Sequence, residues 1–193
     1  MNMSKLVALI SLCFILLGCG RSKEAQFYVL NPIPPAKENH HPYRELRIGI
    51  DEVSTPGYVE RPQLMIHFTP YRMKMEEFHQ WAEALNKNIS RVIETNISTL
   101  LPGAVVESLP WDNQFRPNYH LQVEITQLDI DFQGNSVLRA EYLIYSDHDL
   151  ISKQNIYYCQ KVQIINVESL VSSVNSNVTR LSRDIAQSFR RIH

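Results

Sequence analysis

Tyr119-His-Leu-Gln-Val-Glu-Ile-Thr-Gln-Leu-Asp-Ile-Asp-Phe132 is the stretch on which the fold turns. Its apolar residues alternate with polar ones, the two-residue period of a strand with one buried face. The phase changes midway. Tyr119, Leu121, Val123 and Ile125 sit at odd positions, whereas Leu128, Ile130 and Phe132 sit at even ones. A strict repeat of two cannot do this, so a β-bulge is expected near Thr126-Gln127. Gly134-Asn135 then turns the chain. Two more long strands follow. Leu138, Ala140, Tyr142 and Ile144 line one face of the first, and Ile156, Tyr158, Val162 and Ile164 line one face of the second.

Upstream, Phe27-Tyr-Val-Leu reads as a short strand, and residues 31–44, with four prolines, read as a surface loop. Leu46, Ile48 and Ile50 alternate before the turn signal Pro56-Gly57. Leu64, Ile66 and Phe68, then Tyr71, Met73 and Met75, read as a hairpin around Thr69-Pro70. The period then lengthens: Trp81, Leu85, Ile89, Val92, Ile93, Ile97 and Leu100 form a helical stripe that Pro102-Gly103 ends. Residues 104–109 return to a strand. At the far end Asn166 is a suitable N-cap for a helix whose stripe is Leu170, Val171, Val174, Val178, Leu181, Ile185, Phe189 and Ile192. Glu168 at its start and Arg190-Arg191 at its end suit the helix dipole. The expectation is a single α+β domain, with two long amphipathic helices, near 82–101 and 167–191, packed on one face of a mixed, largely antiparallel sheet.

The opposite face would then carry Leu143, Tyr145, Tyr157, Cys159 and Ile165 among Arg139, Glu141, Lys161 and Gln163. That is too aromatic for a plainly solvated face. Tyr145, Tyr157 and Ile165 are the candidate contact residues for a partner protein or a second copy of the chain. Cover by loops such as 31–44 is the competing reading.

The 193 residues carry a formal charge of −1, and no basic block exceeds Arg190-Arg191, so nucleic-acid binding has no electrostatic footprint. The seven histidines lack metal-ligand spacing, and Gly-x-Ser-x-Gly, P-loop and zinc Cys/His patterns are absent. No catalytic residue, metal or cofactor is therefore assigned. Of the three cysteines, Cys159 reads as a strand-borne packing residue rather than a nucleophile. The sequons at Asn88, Asn96 and Asn177 read as chance.

The N-terminus has its own logic. Lys5 precedes an apolar run from Leu6 to Leu17, the size of a secretory h-region and too short for a hydrocarbon core of ~30 Å. Leu16-Leu17-Gly18-Cys19 resembles the lipobox of bacterial lipoproteins. This resemblance implies cleavage between Gly18 and Cys19, a covalent lipid on Cys19, and a durable acyl anchor. Gly20 stands where an Asp would signal retention in the inner membrane, which points to the periplasmic face of the outer membrane. Residues 1–18 are thus assigned to a signal peptide, 19–26 to the lipidated cysteine and a short tether, and 27–193 to the periplasmic domain.

Phe27-Tyr-Val-Leu-Asn-Pro, Gly57-Tyr-Val-Glu-Arg-Pro-Gln-Leu and His79-Gln-Trp-Ala-Glu-Ala-Leu, with the lipobox and the closing helix, resemble the PqiC family. Trp81 and Glu83 carry the most specific part, and Ala84 departs from the family's usual proline. The resemblance implies a non-enzymatic auxiliary lipoprotein of an ABC-type, mammalian-cell-entry (MCE) lipid-transport system that supports envelope integrity. Its expected partner is a PqiB-like MCE protein anchored in the inner membrane. Within the motif, Trp81 and Leu85 read as core anchors and Glu83 as a first-turn dipole partner. Two other readings stay open: an envelope-assembly lipoprotein of another kind, and a lipid or cell-wall hydrolase using Ser, His or Cys159. If the lipobox reading is right, Cys19→Ser abolishes metabolic lipid labelling and blocks leader processing. Labelled, processed mutant protein in the outer-membrane fraction would refute it.

Overall fold

The computed structural model describes Met3, residues 23–35 and residues 40–193. Apart from Met3, the expected signal peptide, Cys19 and the first residues of the tether lie outside the described residues. The chain runs β1 (Gln26–Tyr28), β2 (Arg47–Ser54), a 3-10 turn (Gly57–Val59), β3 (Gln63–Thr69), β4 (Arg72–Trp81), α1 (Leu85–Leu100), β5 (Val105–Ser108), β6 (Tyr119–Ile130), β7 (Asn135–Ser146), β8 (Asp149–Lys161) and α2 (Val167–Ile192). This is a single α+β domain with a mixed, largely antiparallel sheet and two helices packed against it.

The strands divide into a five-stranded sheet, β5-β2-β6-β7-β8, and a three-stranded one, β1-β4-β3. In the larger, β2 lies parallel to β5 and β6, while the long β6-β7 and β7-β8 ladders are antiparallel. The division has a local cause. Pairing of β2 with β6 ends at Ser54 and Glu124, and β6 continues for six residues. Thr126 is then the extra residue: Ile125 faces Ala140 and Gln127 faces Arg139, which is the expected bulge. A bulge bends its strand and raises the local twist. Beyond it β3 meets the chain through one parallel bridge, His67 to Asp131.

Both phases of β6 are buried as the alternation requires: Leu121, Val123 and Ile125 before the bulge, Leu128 and Ile130 after it. With Leu138, Ala140, Tyr142, Ile144 and Tyr158 they form one wall of the core, and the stripes of α1 and α2 form the other. Full burial of each such aliphatic side chain is worth about 1.5–3 kcal/mol. Polar ties fix the helix registers. The Tyr142 hydroxyl meets Ser188 Oγ at 2.9 Å, and Tyr158 donates to the Asp184 carboxylate. Burial, reinforced by that carboxylate, pushes the Tyr158 hydroxyl pKa far up. Asn166 caps α2 by accepting from the Ser169 N–H at 2.8 Å, and Arg190 donates to the Leu100 carbonyl at the end of α1.

Four local expectations are corrected. The first helix starts at Leu85, because Trp81 is still held in β4 by its N–H to Pro62 and Ala82 bonds Tyr28 on β1. Glu83 therefore precedes the helix. Ile164 lies beyond β8 and is exposed, because the chain leaves the sheet after Lys161. Cys159 is an exposed free thiol, since its neighbour Tyr158 takes the core side of β8. Leu181, fully buried in the α2 interface, gives a direct check. Leu181→Asp should cost at least about 4 kcal/mol and lower the Tm by about 10 °C; an unchanged Tm would mean that this stripe is not the buried one.

Candidate functional site: open sheet face and tether clamp

Strand geometry assigns the far side of the larger sheet without further help. Even-numbered residues of β7 meet the helices, so Val137, Arg139, Glu141, Leu143 and Tyr145 point away from them. Their partners on β8 include Cys159 opposite Val137, Tyr157 opposite Arg139 and Lys153 opposite Leu143. Tyr157 is 55% exposed, with the Arg139 guanidinium 4.9 Å from its ring centroid, and Lys153 pairs with Glu141 at 2.8 Å.

Tyr145, Tyr157 and Ile165 do not form one compact cluster. Tyr145 is six residues along β7 from Arg139, the partner of Tyr157, or about 20 Å at ~3.4 Å per residue. Tyr145 is half-buried, near the β7–β8 turn. Ile165 is half-exposed at the other end, where Gly134 turns β6 into β7. Gly134 has φ +85°, and a Cβ there would come within 3.1 Å of Ile165 and Val162. Tyr145 and Tyr157 thus lie along an open face, whereas Ile165, expected on the same face, lies past the end of β8 in the loop before α2, because the chain leaves the sheet after Lys161.

Loop 31–44 does not cover this face in its described part. It lies on the helices instead. The Ile33 N–H donates to Asn96 Oδ1 and the Asn31 N–H to Asn175 Oδ1, both at 2.8 Å. Tyr43 donates its N–H to the Pro102 carbonyl. A different segment covers the β2–β5 end of the open face: Trp111 lies on Gly49, where a Cβ would come within 3.0 Å of the indole. Its ring meets Phe115 and His120 edge-on, with centroids at 5.8 and 6.0 Å. The exposed outward positions run from Gln122, Glu124 and Thr126 of β6 through Arg139 of β7 to Tyr157 and Cys159 of β8.

The second element is a clamp on the segment leading to the tether. Buried Asn88 of α1 both accepts from the Leu30 N–H (2.7 Å) and donates to the Leu30 carbonyl (3.1 Å). Leu30 itself is buried, and β1 adds a parallel ladder to the end of β4. Asn88 and Asn96 are eight residues apart, and Asn96 also donates to Ser182 of α2. Asn177 donates to Ser136 Oγ. The three sequon asparagines are thus interior hydrogen-bonding groups. Their place within the apolar stripes at helical spacing was the signal that could have identified them.

Trp81 is buried and anchors the end of β4, and Leu85 begins α1 in the core, as the motif suggested. Glu83 pairs with Arg91 instead of serving the first helical turn. Tyr58, from the second motif, answers the bulge. Its hydroxyl accepts from the Leu128 N–H at 3.2 Å and donates to Asp129 at 2.8 Å. Burial, with Asp129 accepting that proton, outweighs the Leu128 contact and pushes the Tyr58 pKa up to about 12. No group of three or more His, Cys, Asp or Glu side chains suited to a metal occurs among the described residues. His67 and His120 are each placed against one carboxylate, Asp129 and Asp51.

The geometry describes a domain with an open sheet face and an N-terminal segment clamped to its helices. Residues 28–186 match the family model of the ABC-type transport auxiliary lipoprotein component. The chain belongs to that family. It is accordingly a non-catalytic auxiliary of transport. It is 21% identical over 139 residues to the intermembrane transport lipoprotein PqiC of Escherichia coli K12, covering 72% of this chain and 73% of that one. The fold is shared with an uncharacterized protein of known crystal structure (TM-score 0.73, 20% identity, 86% of this chain and 99% of the other). It is also shared with a Xanthomonas campestris protein (TM-score 0.63, 12% identity, 84% and 93% covered).

Asn88→Ala leaves both backbone groups of Leu30 unpaired in the interior, an expected loss of about 2–4 kcal/mol. In hydrogen exchange, residues 28–33 should lose more protection than β6 and β7. Equal loss throughout would show that the clamp has no local identity.

Proposed function

We propose that this chain is an outer-membrane lipoprotein, anchored through Cys19 after cleavage behind Gly18, that acts as the adaptor of an MCE lipid-transport system. It would hold the outer-membrane end of a PqiB-like protein that is fixed in the inner membrane and reaches across the periplasm. The family match over residues 28–186 carries this reading. Supporting it are the 21% identity to an intermembrane transport lipoprotein and the lipobox-like Leu16-Leu17-Gly18-Cys19. An adaptor works by contact, and its two mechanical needs are a firm link to its membrane and a free surface for its partner. The asparagine clamp suits the first. The β7–β8 face, with its exposed Tyr157 and flanking Tyr145 and Ile165, suits the second, because aromatic side chains give large contact area at small entropic cost.

The same face serves a second reading, self-association, since β8 is an edge strand with one side of its backbone unpaired. The double mutant Tyr145→Ser/Tyr157→Ser tests both. Neither side chain is needed to fill the core, so the monomer should keep its fold by circular dichroism. Co-purification with the MCE partner, or the oligomer size in sedimentation, should fall at least about tenfold in affinity if one aromatic hot spot worth ~2 kcal/mol is lost. Wild-type partner binding and wild-type size in a folded mutant would remove this face from consideration.

A further inference from the structure

The β3–β4 hairpin ends in an exposed group of aromatic and cationic side chains that the adaptor reading leaves unused. Tyr71, at the turn, is 99% exposed. Phe68, half-exposed, meets Phe132 of the β6–β7 turn edge-on, with centroids at 6.1 Å. The Arg72 guanidinium lies 4.5 Å from the Phe68 ring centroid, and the Lys74 ammonium 5.7 Å from that of Phe132. Lys74 also pairs with Glu76 at 2.9 Å, while Arg72 has no carboxylate within salt-bridge distance among the described residues. Rings with cations beside them are suited to a bilayer interface, where an aromatic body enters the acyl boundary and the charge stays at the headgroups.

Residues 23–25 enter β1 from the side that carries this group. β1 runs parallel to β4 with Gln26 opposite His79, so the chain reaches β1 from the Arg72 end of β4, the end that carries the turn. Lys23, three residues earlier, has its ammonium 5.2 Å from the Phe78 ring centroid. Cys19 is four residues before Lys23 and so within about 14 Å of it even at full extension. A lipid carried on Cys19 would lie within that reach of this side of the small sheet. We propose that the β3–β4 hairpin tip, through Phe68, Tyr71, Arg72 and Lys74 with Phe132, docks on the anionic phospholipid surface beside the anchor and fixes how the domain stands on its membrane. The inference rests on the lipidation of Cys19.

The test uses the full lipidated chain with Tyr71→Trp, its lipid on Cys19 verified by mass. It is reconstituted into vesicles of phosphatidylethanolamine and phosphatidylglycerol that contain doxyl-labelled phospholipid. The contribution of Trp81 and Trp111 is subtracted with the wild-type chain. Docking predicts that emission from the indole introduced at position 71 is quenched by the doxyl lipid. Adding Arg72→Ser should lower the docked-to-free ratio about fivefold, the value of one cation at an anionic surface. Lipidated, membrane-retained protein whose position-71 indole is not quenched would overturn the docking and leave the anchor standing. Shielding from aqueous iodide that rises with protein density, without doxyl quenching, would assign the tip to a second copy or another protein, and also overturns it. Absence of lipid on Cys19 removes the anchor reading, and the docking with it.

Discussion

One apolar interface organises this molecule: the packing of α1 and α2 onto a single face of the five-stranded sheet. A strand sends successive side chains to opposite faces, so every residue committed to the helices commits its neighbour to the other side. With Leu138, Ala140, Tyr142 and Ile144 inside, Arg139, Glu141, Leu143 and Tyr145 must face away. The open face is therefore a consequence of the core. It can change in chemistry without disturbing the packing, which suits a surface whose task is contact.

The same helices do a second task. Asparagine is a poor residue for a helix interior, because its carboxamide competes for backbone groups. Here that tendency is used across the structure: Asn88, Asn96 and Asn175 bond the backbone of residues 30, 31 and 33. Leu30, the buried member of this segment, would otherwise carry an unpaired N–H and carbonyl into the interior, at about 1–3 kcal/mol each. The segment nearest the tether is thereby joined to the most buried part of the domain.

The bulge at Thr126 links these arrangements to the small sheet. It lets β6 keep apolar residues inward on both sides of the phase change, and it turns the strand so that β3 can meet Asp131. Tyr58 satisfies the Leu128 N–H just past the bulge and ties in Asp129. Such features are set by backbone geometry rather than by surface chemistry. That is consistent with a fold kept at 20% and 12% identity in two solved structures.

Periodicity by itself determined the helices, the strands, the inward faces and the bulge, because these follow from steric repeats of 3.6 and 2 residues along one chain. For the same reason it set which residues point away from the helices, Tyr145 and Tyr157 among them, but not whether loops such as 31–44 cover them. The resemblance of Leu16-Leu17-Gly18-Cys19 to a lipobox is likewise local and needs no fold to be read. What only the tertiary structure decided involves residues far apart in sequence. The parting into two sheets depends on where β2 stops against β6. The burial of Asn88, Asn96 and Asn177, read as chance sequons, depends on which partners the helices meet. The exposure of Cys159 and Ile164 depends on where β8 ends, and the side from which residues 23–25 enter β1 depends on the parallel pairing of β1 with β4. A hydrogen bond or ladder of this kind is decided by three-dimensional proximity, which no spacing along the chain encodes.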